Sequence, residues 1–120
     1  WHLIGLELGL SVASVGIRGE ATGVARYFNA DVAAFAKKAL PSGYVLDGEG
    51  GFTIYGGVRP AAASLAKNLL PLGLANQVKL RREIKKDQPI TVDDVELETT
   101  SAAFKMRQKT VDLFAAAQTS

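Results

Sequence analysis

Two stretches, "AKKALPSGYVLDG" at 36–48 and "LRREIKKDQPITVDD" at 80–94, share one plan. Each runs from an apolar residue through two bases to an apolar position, breaks at a turn, and resumes in an apolar run that closes on acid. At an offset of 44 residues, from Ala36 to Leu80, Lys37 and Lys38 face Arg81 and Arg82, Leu40 faces Ile84, Gly43 faces Asp87 and Leu46 faces Ile90. In the first copy Pro41 sets one turn position and Gly43 supplies a positive φ. In the second the glycine is Asp87, and aspartate tolerates the left-handed region better than most residues. Each half predicts a strand, a tight turn and a returning strand. A lone two-stranded unit is marginal in water. The halves are therefore expected to pack about a local two-fold axis, with Leu40 and Ile84 at equivalent positions of one shared core.

The rest of the chain is punctuated around this pair. Leu3 to Ile17 fits both a period of two (Ile4, Leu6, Leu8, Leu10, Val12) and a helical face (Ile4, Leu8, Val12, Val15); a helix over Glu7–Gly16 is the preferred reading. Gly9, Ala13 and Gly16 would let a neighbouring backbone approach closely, at a cost of about 1 kcal/mol of helix propensity per glycine. Strands are expected at Val32–Lys38, Tyr44–Leu46, Phe52–Tyr55 and Val78–Ile84. A short helix is expected over Arg59–Leu70, opening at Pro60. Thr91 is placed to cap a turn over Asp93 and Asp94. Ser101 is placed to cap a closing helix to Ala117, on which Phe104, Val111 and Phe114 repeat. The expected fold class is α+β: a short-stranded module at 30–98 between an N-terminal segment (1–29) and a C-terminal helix (99–120).

Composition narrows the function classes. A chain of 120 residues buries roughly two thirds of its unfolded surface as one domain. It has no cysteine and a single histidine, so it holds neither a disulfide framework nor enough soft ligands for zinc. Fourteen bases are interspersed with twelve acids, a weak electrostatic footprint for nucleic acid. The apolar opening falls short of the ~20 residues of a membrane span. It also lacks a signal peptide's basic leader and cleavage site. Neither nucleic acid nor membrane is expected as a partner, and a cytoplasmic location is. The entry from Trp1 straight into an apolar segment is what the interior of a longer chain would look like.

The repeat carries a family resemblance. "VAAFAKKALPSGYVLDG" and "VKLRREIKKDQPITVDDVEL" resemble the two halves of a SAF domain, the antifreeze-like β-clip module of sialic acid synthases, flagellar P-ring chaperones and altronate dehydratases. The second half departs from the pattern at Asp87, where the turn glycine is usual. "HLIGLELGLSVASV", "LDGEGGFTIYG" and "LPLGLANQVKLRREI" resemble the C-terminal region of homoserine-dehydrogenase-like NAD(P)-dependent oxidoreductases, including the branch like 1-deoxy-D-xylulose 5-phosphate reductoisomerase. The resemblance implies a parent oxidoreductase whose dinucleotide-binding domain precedes this region, because no G-x-G-x-x-G stands here between a strand and a helix. NAD(P) is then the parent's cofactor, this chain binds none itself, and its role is pocket closure or assembly of a homo-oligomer. The alternative is a free-standing β-clip module for carbohydrate or a protein partner.

Three residues are candidate substrate contacts. The resemblance implies that His2 lines a pocket made with the missing body, as a phosphate contact or proton donor; the plainer reading is a packed, hydrogen-bonded histidine. Lys37 and Arg81, with Lys38 and Arg82, are expected to be drawn together by the repeat and to cradle a phosphate or an acidic partner; the plainer reading is that they solvate a sheet. Glu7 needs water or a partner such as Arg18. Asp47 and Glu49 are too few for a calcium loop, and Asp93, Asp94 and Glu96 suit the helix dipole. No residue is assigned a catalytic role, and no metal site is expected.

Overall fold

The computed structural model describes residues 4–21, 23 and 27–119. It is a mixed α+β structure with two small antiparallel sheets and three α-helices. Helix α1 is Ile4–Ala13 and runs into a π-helical turn at Ser14–Arg18, closed by Gly19 at φ 65. Strand β1 (Ala30–Ala36) pairs antiparallel with β3 (Ile54–Pro60), from Ala30 opposite Pro60 to Ala36 opposite Ile54. Strand β2 (Val45–Asp47) pairs with β4 (Asn76–Leu80), which also pairs with β5 (Val95–Glu96). Helix α2 is Ala61–Ala66 and helix α3 is Ala102–Thr119. No described helix is long and apolar enough to cross a membrane.

The two quoted stretches meet at their centres. Leu40 and Ile84 form an antiparallel bridge in which each N–H donates to the other's carbonyl, at 2.8 and 2.9 Å. Around it the main-chain bonds come in counterparts. Gly43 N–H donates to Leu80 O and Asp87 N–H to Ala36 O, both at 2.8 Å. Leu80 N–H donates to Tyr44 O at 2.8 Å and Ala36 N–H to Gln88 O at 3.1 Å. Lys37 N–H donates to Thr53 O at 2.8 Å and Arg81 N–H to Asp94 O at 2.7 Å. Gly43 and Asp87 both stand at positive φ, 84 and 62. Buried main-chain groups are costly to leave unpaired, and here each half supplies partners for the other.

The core sits between the halves. Leu40, Leu46, Leu80, Ile84, Ile90 and Val95 are buried together with Ile54 and Leu70. A smaller cluster of Ala33, Phe35 and Leu69 lies on the other face of β1. Both turns, Ser42–Gly43 and Lys86–Asp87, are exposed.

Several expected boundaries move, each for a local reason. The first helix spans Ile4–Ala13 in place of Glu7–Gly16, because the chain widens into the π turn at Ser14. Strand β1 starts two residues early and ends before Lys37, whose N–H turns to Thr53. Strand β3 starts at Ile54 because Asp47 holds the Phe52 and Thr53 N–H groups in the preceding loop, at 2.7 and 3.4 Å. It then continues through Gly56 and Gly57 to Pro60. Helix α2 is only six residues long; Pro60 sits outside it and Asn68, at φ 50, turns the chain away. Strand β4 ends at Leu80, where the chain bends toward the bridge at Ile84. The closing helix is capped as expected, with Phe104 N–H donating to Ser101 Oγ at 3.2 Å. It does not receive α1: Phe114 packs edge-on against Phe28, 5.5 Å between centroids, while Leu6, Leu10 and Ile17 stand in solvent.

Leu40 and Ile84 are 1% and 0% exposed. Leu40→Ala or Ile84→Ala should each cost about 2–5 kcal/mol of unfolding free energy, the range for emptying a core site. Urea denaturation measures it. Losses below about 1 kcal/mol would mean that the bridge does not organise the core.

Candidate functional site

A groove of about 380 Å³ opens beside the β1–β3 ribbon, under the loop at 48–53. Val32, Ile54 and Leu72 line it with apolar surface, and Lys37 and Glu49 bring opposite charges to it. Gly56 shapes the floor: a Cβ there would stand 2.8 Å from both Leu72 Cδ2 and Val32 Cγ1, so only glycine lets those side chains close in. The loop is held from inside. The Asp47 carboxylate accepts from Thr53 Oγ1 and from the Phe52 and Thr53 N–H groups. The Thr53 hydroxyl, followed by those main-chain donors, holds the Asp47 carboxyl below its ordinary range. Lys37 Nζ donates to Gly51 O at 2.6 Å, which leaves the ammonium further protons for a ligand in the groove.

Tyr55, which also lines the groove, stacks on Phe35 with centroids 5.5 Å apart, and the Arg59 guanidinium lies 4.5 Å from the Phe35 centroid. Tyr55 Oη donates to Asp87 Oδ1 at 3.2 Å and so ties β3 to the second turn. Burial, and then the Asp87 contact, push the Tyr55 phenol up. Phe35 also crosses Gly57, where a Cβ would stand 2.6 Å from its ring.

The bases are not gathered. The Leu40–Ile84 bridge is antiparallel, so residues before one centre lie beside residues after the other. Lys37 lies next to the turn at Asp87, and Arg81 next to Ser42 and Gly43, with Ser42 Oγ donating to Arg81 O at 3.0 Å. The expected joint cradle of Lys37 and Arg81 therefore does not form. Arg82 is spent within its own half on Asp94. Asp94 is buried and faces Thr91 as a capping box, its Oδ2 accepting from Thr91 N–H at 2.9 Å. Burial raises the Asp94 carboxyl, but Arg82 and the Thr91 donors outweigh it and hold it low. His2 and the side chain of Glu7 lie outside the described residues.

One polar cluster was not anticipated from the sequence. Asp31, 7% exposed, receives both Arg107 nitrogens, at 2.8 and 2.6 Å, and the Ser64 hydroxyl at 2.5 Å. The Arg107 guanidinium also lies over Phe28, 5.0 Å from the ring centroid. Burial alone would push the Asp31 carboxyl up; the Arg107 and Ser64 hydrogen bonds and the Arg107 charge together hold it low. A signal was available. Arg107 stands three residues after Phe104 and four before Val111, a base on the apolar stripe of α3, and a base there needs a buried acid.

Chemically, the groove offers a cation, an anion and apolar walls, an arrangement that binds and orients. Among the described residues no three His, Cys, Asp or Glu side chains are grouped to hold a metal ion.

Asp31, Asp47 and Asp94 all have folded values below their ordinary 3.8. The unfolded chain therefore takes up protons first as pH falls, and stability is fully present above the ordinary carboxylate range and lost through the lower folded values. Urea unfolding should be nearly flat from neutrality to about pH 5 and weaken steeply below about pH 4. Asp31→Asn, which strands Arg107, should cost about 3 kcal/mol at neutral pH and flatten the acid limb; an unchanged limb would show that Asp31 is not ionised in the fold. No known family profile matches the chain, and no curated protein matches it.

Proposed function

We propose that residues 30–98 form a SAF-like β-clip whose halves are related by a pseudo-two-fold axis. We further propose that the chain is the C-terminal SAF-containing region of a cytoplasmic NAD(P)-dependent oxidoreductase, homoserine-dehydrogenase-like and of the reductoisomerase-like branch. Its role is to help close the substrate pocket or to assemble the oligomer, while the parent's dinucleotide-binding domain holds the cofactor. The observation that supports the β-clip is the Leu40–Ile84 bridge, since residues 44 apart in the repeat bond to each other, as they do when a two-fold axis passes between them. Support for the oxidoreductase comes from where the resembling segments fall. "LDGEGGFTIYG" contributes Glu49, Ile54, Tyr55 and Gly56 to the groove, and "LPLGLANQVKLRREI" contributes Leu72. Lys37, reaching the same groove, is the residue suited to an anionic substrate group. Arg81 belongs to a separate surface, and His2 keeps the pocket role that the resemblance implies.

Two measurements test the reading. Calorimetric titration of residues 1–120 with NADH and NADPH should show no binding, because no glycine-rich phosphate turn is present in the chain; micromolar affinity overturns the division of labour. The coding sequence around residues 1–120 should carry a G-x-G-x-x-G fingerprint between a strand and a helix upstream. A stop codon or an unrelated domain there overturns the oxidoreductase and leaves a free-standing binding module for carbohydrate or protein.

A further inference from the structure

Strand β3 is an open edge. At the two ends of its pairing with β1, Lys37 N–H donates to Thr53 O and Ala61 N–H to Asn29 O, so the odd-numbered residues of the two strands bond each other. The even-numbered residues of β1 face away from β3 and are satisfied there: Ala34 and Ala36 N–H donate to Leu70 O and Gln88 O, and their carbonyls accept from Ile90 and Asp87. On β3 the even-numbered residues point outward. Among the described residues nothing bonds the Gly56 N–H, the Gly56 carbonyl or the Val58 N–H, while Val58 O accepts from Arg59 Nη1 at 2.8 Å. Both Gly56 and Val58 are exposed. Proteins ordinarily blunt such an edge with charge, proline, a bulge or shortness. The outer strands of the other sheet, β2 and β5, are three and two residues long. Strand β3 is seven long with an unbroken register, and from Ile54 to Val58 it carries neither charge nor proline.

The groove runs along this edge. Its lining extends from Val32, opposite Val58, to Lys37, beside Thr53, five residues or about 16 Å of strand. That length suits an extended chain, and only a chain presents donors and acceptors at strand spacing. One end of the groove is basic. The Leu40–Ile84 bridge and the bond from Asp87 N–H to Ala36 O lay the turn at Lys85–Asp87 beside Lys37 and Lys38, so Lys37, Lys38, Lys85 and Lys86 stand together, all exposed. They outnumber the acids at that end, Glu49 and Asp87, and Asp87 already accepts from Tyr55. Glu83 lies beyond the bridge.

We infer that β3 and its groove bind an extended segment of a protein partner, which adds as a third strand beside Gly56 and Val58 and ends in acidic residues at the four lysines. Antiparallel pairing places those acids on the segment's C-terminal side. Side chains opposite Val58 and Gly56 share their face and meet Val32 and Leu72. The inference goes beyond the oxidoreductase reading and does not depend on it.

Fluorescence anisotropy of residues 1–120 with the fluorescein-labelled peptide TVTVTDED tests it. Binding should show a dissociation constant of roughly 10–100 µM, weakening as salt rises from about 50 to about 300 mM. N-methylation of the two valines keeps the side chains but removes the amides that face β3, and should weaken binding at least about tenfold. Val58→Pro, which deletes an outward N–H and leaves the β1 ladder intact, should do the same, as should Lys38→Glu combined with Lys86→Glu. Thermal melts matching the parent chain show that the variants remain folded, and the N-methylated peptide needs no variant. No binding at about 1 mM peptide, equal binding of the N-methylated peptide, or indifference to the lysine substitutions overturns the inference. So does a chain dimeric at about 100 µM whose dimer Val58→Pro dissolves, since the third strand would then be a second copy. None of these outcomes bears on the NAD(P)H titration.

Discussion

The structure hangs on a pair of hydrogen bonds, Leu40 to Ile84 and Ile84 to Leu40. Each half of the module is too small to enclose its own apolar side chains, and each has main-chain groups with no partner inside the half. The bridge answers both needs at once. It sets the two central leucine-like side chains face to face in the core, and it aligns the flanking carbonyls of Ala36, Leu80, Tyr44 and Gln88 with donors from the opposite half. The turns that follow must then reverse within a few residues, which requires the left-handed backbone at Gly43 and Asp87. Aspartate at the second site carries some strain that glycine would not, and its carboxylate accepts from Tyr55 in return.

A second constraint attaches the periphery. Helix α3 has a weakly amphipathic sequence, and what ties it to β1 is the two-pronged bond from Arg107 to Asp31, whose carboxylate also accepts from Ser64. A buried ion pair contributes little net stability compared with an apolar contact of equal volume, but it is costly to break on one side only. It therefore acts chiefly as a register: α3 docks where both ions are satisfied, and the Phe28–Phe114 edge contact follows.

The two halves diverge where function would reside. Between Asp47 and Thr53 the first half carries three more residues than the second carries between Thr91 and Asp94. Both loops are closed by a threonine–aspartate contact, with the acid first in one and last in the other. The longer loop arches over β3 and, with Lys37 and Glu49, makes the groove; the shorter one is tied down by Arg82.

Features that depend on a few neighbouring residues were legible in the sequence: the Pro41–Gly43 turn and the capping roles of Thr91 and Ser101. Their physics is local, since a turn or a cap is decided by φ preferences and by side chains within three or four positions. Strand ends were less legible, because Asp47 takes the Phe52 and Thr53 N–H groups and delays β3, a competition that propensity does not weigh. The separation of Lys37 from Arg81 was hidden too, because it follows from the antiparallel Leu40–Ile84 bridge, a pairing across 44 residues. The Asp31–Arg107 bond spans 76 positions, and the bareness of α1 depends on what the rest of the chain leaves uncovered. Those were decided by tertiary structure alone, because the energy of a distant contact is realised only after the intervening chain has folded to bring the partners within reach.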